Sequence, residues 1–159
     1  MSVIETAVTW AIGIANDDSH GYSQANRDGP DYDCSSLVCW AYYNAGLNTR
    51  PGYTPSTHTM YSVFTAAGFR DVTGSCSLSS GAGMERGDVL LNVQNHTAMY
   101  IGSGRMVQAS SNRGYPQTGD QTGTEIYTCS YYNYSGGGWD YVLRYPEIKT
   151  VSLVSWIPG

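Results

Sequence analysis

The sequence has little charge and few bases. Charged residues make up 13% of the chain, about half of the usual share of ~25%. Thirteen acids against eight bases leave a formal net charge of −5. Such a chain has no basic patch to neutralise phosphates, which argues against nucleic-acid binding. It also has no apolar run of about 18 residues, so we expect no membrane insertion.

The cysteines and the first residues lack the patterns of metal sites and secretion. Cysteines at positions 34, 39, 76 and 129 include no Cys-x-x-Cys pair, and their spacing fits no structural zinc site, so we expect neither a metal nor another cofactor. The first ten residues have no basic stretch and include Glu5, which is unlike a secretory signal. Without such a signal, a disulfide framework is not expected.

Tyrosine and glycine are abundant instead, with 14 and 19 copies. A chain of 159 residues is the size of one domain, and we place a catalytic domain over 1–146, with an extra strand or a linker over 147–159. Helical spacing predicts three helices, over 3–15, 34–45 and 56–67. Alternating segments then predict an antiparallel sheet of five or six strands and an α+β fold, with strands at Asp88–Val93, His96–Ile101, Arg105–Ser110, Thr124–Thr128 and Asp140–Tyr145.

Cys34 lies where a polar loop becomes an apolar helix. At that place its sulfur would be close to unpaired N–H groups at the positive end of the helix dipole. This setting favours the thiolate and predicts a pKa below the usual value of about 8.5. Cys34 is therefore the candidate nucleophile, and it needs a basic partner with an orienting group.

His96 is the best candidate for that partner among three histidines, because it begins a predicted strand and is held by a rigid element. If Gly102-Ser103-Gly104 is a three-residue hairpin loop, Ile101 pairs with Arg105 and Gln108 lies on the same face as His96. The Gln108 side-chain oxygen can then accept the ring N–H. A two-residue loop would instead move Gln108 to the opposite face.

These residues resemble the NlpC-type papain-like cell-wall peptidases. Asp33-Cys34-Ser35-Ser36-Leu37-Val38 is similar to their cysteine motif, and Glu85-Arg86-Gly87-Asp88 to their Gly-Asp strand. His96-Thr97-Ala98-Met99-Tyr100 is similar to their histidine strand. Within that superfamily, Tyr22-Ser23 and the run from Arg27 to Asp31 look like the Pal-like phage amidases. The resemblance implies a papain-like fold, with N-terminal helices packed on the sheet.

The resemblance also implies roles. Cys34 is the nucleophile, His96 the general base and then acid, and Gln108 the orienting group, at a position where relatives often have His. Tyr22 and the Cys34 N–H correspond to the groups that stabilise the oxyanion. Asp33 and Ser35 correspond to substrate contacts. The implied protein is a phage endolysin, made in the host cytoplasm, that hydrolyses an amide bond of bacterial peptidoglycan.

Several alternatives remain open from the sequence. The bond is either that of an N-acetylmuramoyl-L-alanine amidase or that of a D-glutamyl endopeptidase. Transfer to a nucleophile other than water, or wall binding without catalysis, are other possible functions. An aromatic loop could form a sugar platform or simply supply core residues (Tyr131, Tyr132, Tyr134 and Trp139). Because the net charge is negative, we expect a separate module to target the anionic wall.

Overall fold

The helices come first in the chain and lie close to their predicted bounds. The computed structural model describes residues 1–110 and 125–147. Its helices are α1 (Val3–Ala15), α2 (Cys34–Asn44) and α3 (Thr57–Ala66). Within these described residues, no helix is both long enough and apolar enough to cross a membrane.

Helix ends follow the chemistry of their flanking residues. The Ser2 hydroxyl accepts a hydrogen bond from the Glu5 N–H at 3.0 Å, which is half of the capping box expected from the sequence. The Glu5 carboxylate bonds Arg86 instead. Gly46 and Gly68 follow α2 and α3 with φ values of 100° and 108°, a backbone conformation that glycine adopts without strain.

In the described part of the chain, six antiparallel strands form one sheet, in the order β1-β6-β2-β3-β4-β5. The α+β prediction is therefore confirmed. The five predicted strands are present with shifts of one or two residues, although Thr124, where one was expected to begin, lies outside the described residues. The sixth strand, β1, was not predicted. The strands are β1 (Arg70–Asp71), β2 (Val89–Asn92), β3 (His96–Gly102), β4 (Arg105–Ala109), β5 (Ile126–Ser130) and β6 (Tyr141–Arg144).

Both faces of the sheet are buried. Alternate strand residues on one face, such as Leu91 and Met99, pack in one cluster with the buried sides of all three helices. The opposite face, which includes Leu90 and Ala98, packs against Trp139 and its neighbours in the segment between β5 and β6. The strand that begins at His96 thus runs through the middle of the core.

The β3–β4 hairpin differs from the predicted loop in an informative way. Its loop has two residues, Ser103 and Gly104, both with positive φ (54° and 71°), as in a type I′ turn. Gly102 therefore pairs with Arg105, and the predicted pairing of Ile101 with Arg105 is wrong. A bulge between Tyr100 and Gly102 adds one residue back. The two changes cancel, so Gln108 still lies on the His96 face.

Gly87-Asp88 forms a buried corner before β2. Gly87 has a φ of 96°, and a Cβ there would lie 2.5 Å from Ile4 Cγ2. The Asp88 carboxylate accepts two hydrogen bonds from Arg144, at 2.8 and 2.7 Å, and a third from the Glu85 N–H at 2.8 Å. This ion pair ties the corner to β6.

Glu147 connects the end of the described chain to its beginning. Its carboxylate accepts hydrogen bonds from the N–H groups of Val3 (2.6 Å) and Ile4 (3.2 Å), in the first turn of α1. A negative group at this end also interacts favourably with the helix dipole. Residue 147 therefore packs with the unit predicted for 1–146, and the rest of the predicted extra strand or linker lies outside the described residues.

Candidate active site

Cys34 is the first residue of α2, and the residues around it fix the helix start. The Asp33 carboxylate accepts a hydrogen bond from the Ser36 N–H at 2.9 Å, and the Ser36 hydroxyl accepts one from the Asp33 N–H at 2.9 Å. This reciprocal pair is a complete capping box. The backbone N–H of Thr97, the residue after His96, donates a hydrogen bond to the Cys34 sulfur. The structure thus brings the sulfur to the beginning of β3.

The expected low pKa of Cys34 is wrong. Burial raises the pKa of the thiol to about 11, and the neighbouring Asp33 carboxylate adds to the rise. The N–H groups of Thr97 and Ser35, and the Arg27 guanidinium, lower the pKa by less. Desolvation therefore outweighs the helix start, and the resting group at neutral pH is a thiol.

His96 and Gln108 are in direct contact. The His96 Nε2 lies 2.7 Å from the Gln108 Oε1, which can only accept a hydrogen bond. The proton of a neutral ring is therefore on Nε2, and Nδ1 has its lone pair available as a base. Burial lowers the pKa of His96, and the bond to Gln108 opposes that shift. Both groups are buried, so the contact is shielded from water.

Two aromatic rings stack with the His96 imidazole. The Tyr134 and Trp139 rings lie 5.2 and 5.8 Å from it, centroid to centroid, with interplanar angles of 29° and 22°. Trp139 is only 3% exposed. Of the four residues proposed for a sugar platform, Trp139 is thus a core residue and Tyr134 packs on the imidazole. These contacts help to hold the ring in one plane.

Tyr22 lies near the thiol with its hydroxyl protonated. Burial raises the pKa of Tyr22 to about 12, and the nearby Cys34 contributes to the rise. Gln24 Nε2 donates a hydrogen bond to the Tyr22 hydroxyl at 3.0 Å. The phenol thus keeps its proton at neutral pH and can donate it to an oxyanion.

Arg27 connects several segments near the site. The sequence indicated it only as the first residue of the run from Arg27 to Asp31. It donates hydrogen bonds to Asp33 Oδ2 at 2.8 Å and to Ser35 Oγ at 2.6 Å. It also donates to the carbonyls of Thr54 (2.7 Å) and Pro55 (2.8 Å). Asp33 and Ser35 are therefore buried in this network, and their contact with substrate stays a prediction.

The other two histidines lie outside this cluster. His20 Nδ1 contacts the Pro30 carbonyl at 2.6 Å, and His58 Nε2 contacts the Gln94 carbonyl at 3.3 Å. All four cysteines lie in the described part of the chain, and none of them forms a disulfide. Across residues 1–110 and 125–147, no group of three His, Cys, Asp or Glu side chains could hold a metal ion.

The chain is similar in sequence to a peptidoglycan endopeptidase. This relative is the peptidoglycan DL-endopeptidase CwlO of Bacillus licheniformis, which is 30% identical over 121 residues. That match covers 71% of this chain and 24% of the relative, so the chain spans about a quarter of that protein's length.

Solved structures share the fold. The P60 domain of an antigen from M. avium subspecies paratuberculosis has a TM-score of 0.55 at 19% identity, covering 92% of this chain and 96% of that one. The endolysin LysIME-EF1 has a TM-score of 0.55 at 17% identity, covering 92% of this chain and 65% of that one. The expected papain-like fold of the NlpC type is confirmed by these neighbours. A family model described as the endolysin-like domain matches residues 28–107, half of the chain, and the protein therefore belongs to the endolysin-like domain family.

Proposed function

We propose that this chain is a peptidoglycan hydrolase, the catalytic part of a phage endolysin, which cleaves an amide bond at or in the stem peptide. Cys34 is the nucleophile, His96 the general base and then acid, and Gln108 the orienting group. The observation that carries the proposal is the buried His96–Gln108 hydrogen bond, on a strand whose next residue contacts the Cys34 thiol. The similarity to a peptidoglycan endopeptidase supports the choice of substrate.

The first step begins from a neutral thiol and a neutral imidazole. As the sulfur attacks the amide carbon, His96 Nδ1 takes the thiol proton, and the Gln108 oxygen keeps the second ring proton on Nε2. The thiol loses its proton during the attack and not before it, because burial makes a resting thiolate unfavourable at Cys34.

The developing oxyanion would be held by the Tyr22 hydroxyl and the Cys34 N–H. A single donor of this kind is typically worth about 2.7–4 kcal/mol. His96 then gives its proton to the leaving amine, which departs and leaves a thioester on Cys34. His96 then deprotonates a water, which attacks the thioester carbon. The C–S bond breaks, the carboxylic acid product leaves, and His96 returns the proton to the Cys34 sulfur. In this scheme Asp33 and Ser35 contact the substrate, with Arg27 holding both side chains in place.

The product identifies the bond, and mass spectrometry of fragments released from purified walls provides the test. The similarity to the endopeptidase CwlO favours cleavage within the stem peptide, so we expect new termini there. Fragments that separate muramic acid from L-alanine would instead assign an amidase. Walls incubated with the Cys34→Ala variant are the control for fragments that other enzymes leave behind. Release of neither fragment by the folded protein contradicts the proposal.

Two alternatives remain distinguishable by simple measurements. An acyltransferase would join the acyl fragment to an added amine, whereas a hydrolase releases a free carboxylate even when amines are present. A binding module would still bind cell walls after its thiols are alkylated, and it would release no wall fragments. Binding alone gives no reason for a buried imidazole bonded to an amide oxygen. Targeting by a separate wall-binding module belongs to the proposal and adds to catalysis by this domain.

The pH profile of kcat/KM tests the protonation states. Protonation of His96 removes the base, so activity falls as the pH drops through the pKa of His96. Since burial lowers that pKa, we expect the acid limb below pH 6.5, the ordinary value for histidine. Since the pKa of Cys34 is raised to about 11, activity should stay level across pH 8.5, roughly where an ordinary thiol titrates.

The Gln108→Ala variant makes this prediction directional. The bond to Gln108 raises the pKa of His96, so its loss should move the acid limb to still lower pH.

The rate at which iodoacetamide alkylates Cys34, followed by peptide mass spectrometry, measures the reactivity of the thiol directly. A decline in kcat/KM near pH 8.5, together with rapid alkylation at neutral pH, would indicate a thiolate–imidazolium pair and contradict the neutral thiol–imidazole pair.

A further inference from the structure

The amide nitrogen of Gln108 also has hydrogen-bond partners. Gln108 Nε2 donates to the Tyr132 hydroxyl at 3.0 Å and to the Tyr127 hydroxyl at 3.2 Å. Cys129 Sγ, a weak acceptor, lies 3.5 Å away. The side chain is 1% exposed, so water does not compete for these bonds. In this arrangement the amide hydrogens are directed at the two phenol oxygens, and the amide oxygen faces His96.

A reversed amide would have a specific chemical consequence. The Gln108 nitrogen would then face His96 Nε2 and donate to it, so the proton of the neutral ring would move to Nδ1. In that tautomer Nδ1 no longer accepts a proton, and the ring loses its function as the base. A histidine in the wrong tautomer can cost up to about 10⁴-fold in kcat.

We propose that Tyr132, assisted by Tyr127, is a positioning residue that fixes the Gln108 amide and thereby selects the reactive tautomer of His96. This inference rests on the proposed function, in which His96 is the base. Tyr132 does not touch the reacting atoms. It acts through Gln108, at a position where the resemblance led us to expect histidine in many relatives.

Tyr132 is well placed for this role. It is 40% exposed, yet its hydroxyl reaches a buried amide. Its carbonyl accepts a hydrogen bond from Trp139 Nε1 at 3.1 Å, and Trp139 stacks with the His96 ring. One segment of the chain therefore sets both the plane of the imidazole and the orientation of its hydrogen-bond partner.

Nitrogen NMR of the histidine side chains tests the proposal without relying on activity. In ¹⁵N-labelled protein above the pKa of His96, we expect the native chain to show a proton on Nε2 and a bare Nδ1. Tyr132→Phe should shift the ring towards the Nδ1–H tautomer, and the Tyr127→Phe/Tyr132→Phe double variant should shift it further. Tyr100→Phe removes a hydroxyl that bonds the Gly104 N–H at 2.9 Å and is the matched control, with an unchanged tautomer.

A second arm uses a side chain that cannot be reversed. In Gln108→Glu either carboxylate oxygen accepts the His96 proton, so orientation no longer matters. We expect Tyr132→Phe to lower kcat about tenfold in the native background, a tautomer effect, and less than about twofold in the Gln108→Glu background.

The outcomes separate the two proposals. Equal losses of kcat in both backgrounds, or an unchanged tautomer in folded Tyr132→Phe, would overturn the positioning role. If Tyr132→Phe showed the expected tautomer shift but the native chain released no wall fragments, the positioning of His96 would stand and the proposed hydrolase would fail. The NMR arm remains decisive if the Gln108→Glu variant does not fold.

Discussion

Cys34→Ala should abolish the release of wall fragments while the protein stays folded. Without the sulfur no thioester can form, and removing a nucleophile of this kind lowers kcat by about 10⁴-fold or more. Alanine suits the first position of a helix, and the Asp33–Ser36 capping box does not depend on the cysteine side chain. Fragment release and circular dichroism of the same samples provide the measurement.

Cys39→Ala is the matched control for that result. Cys39 lies on the same helix, is fully buried and packs in the cluster that the three helices form with one face of the sheet. Its truncation should lower stability by about 1 kcal/mol through lost packing and leave kcat of the folded protein nearly unchanged. A lytic Cys34→Ala variant would exclude the thiol mechanism, and equal losses of kcat in the two variants would point to a folding defect.

Asp88→Ala should produce the largest loss of stability. The Asp88 side chain is 1% exposed and accepts three hydrogen bonds, two of them from Arg144. Its removal leaves the partly buried guanidinium with fewer partners and the Glu85 N–H without this acceptor. Breaking such a pair from one side costs about 3 kcal/mol or more. Urea unfolding, compared at an unchanged m-value, measures the difference.

An exposed ion pair in the same protein serves for comparison. Arg86 and Glu5 form a salt bridge at 2.7 Å, with side chains that are 40% and 42% exposed. Glu5→Ala should cost less than about 1 kcal/mol, since solvent screens such pairs. If Glu5→Ala and Asp88→Ala lowered the free energy of unfolding by similar amounts, the buried corner would not be the source of stability that its geometry indicates.

The regular elements were predictable because their signals are local. Helical spacing, cap residues and terminal glycines depend on a few neighbouring positions, and they placed the helix bounds within a residue or two. β1 was missed because it has only two residues, both charged and exposed, with no alternation to detect. The hairpin loop was wrong in length, yet the expected contact between His96 and Gln108 is present because a bulge restored the register.

The site was harder to predict where distant residues determine its properties. The pKa of Cys34 depends on how far the folded chain excludes water, and the helix start alone pointed the wrong way. The partners of Arg27 lie on segments up to 28 residues away. Similarly, Tyr127 and Tyr132 reach Gln108 only through the pairing of β5 with β4 and the path of the segment that follows. The catalytic roles themselves stay predictions.

The contact between Glu147 and the first turn of α1 has a practical consequence for the design of fusion proteins that contain this domain. A fusion joint at residue 146 would remove the carboxylate that holds Val3 and Ile4. Joining another domain after Glu147 would keep the contact between this carboxylate and the first turn of α1.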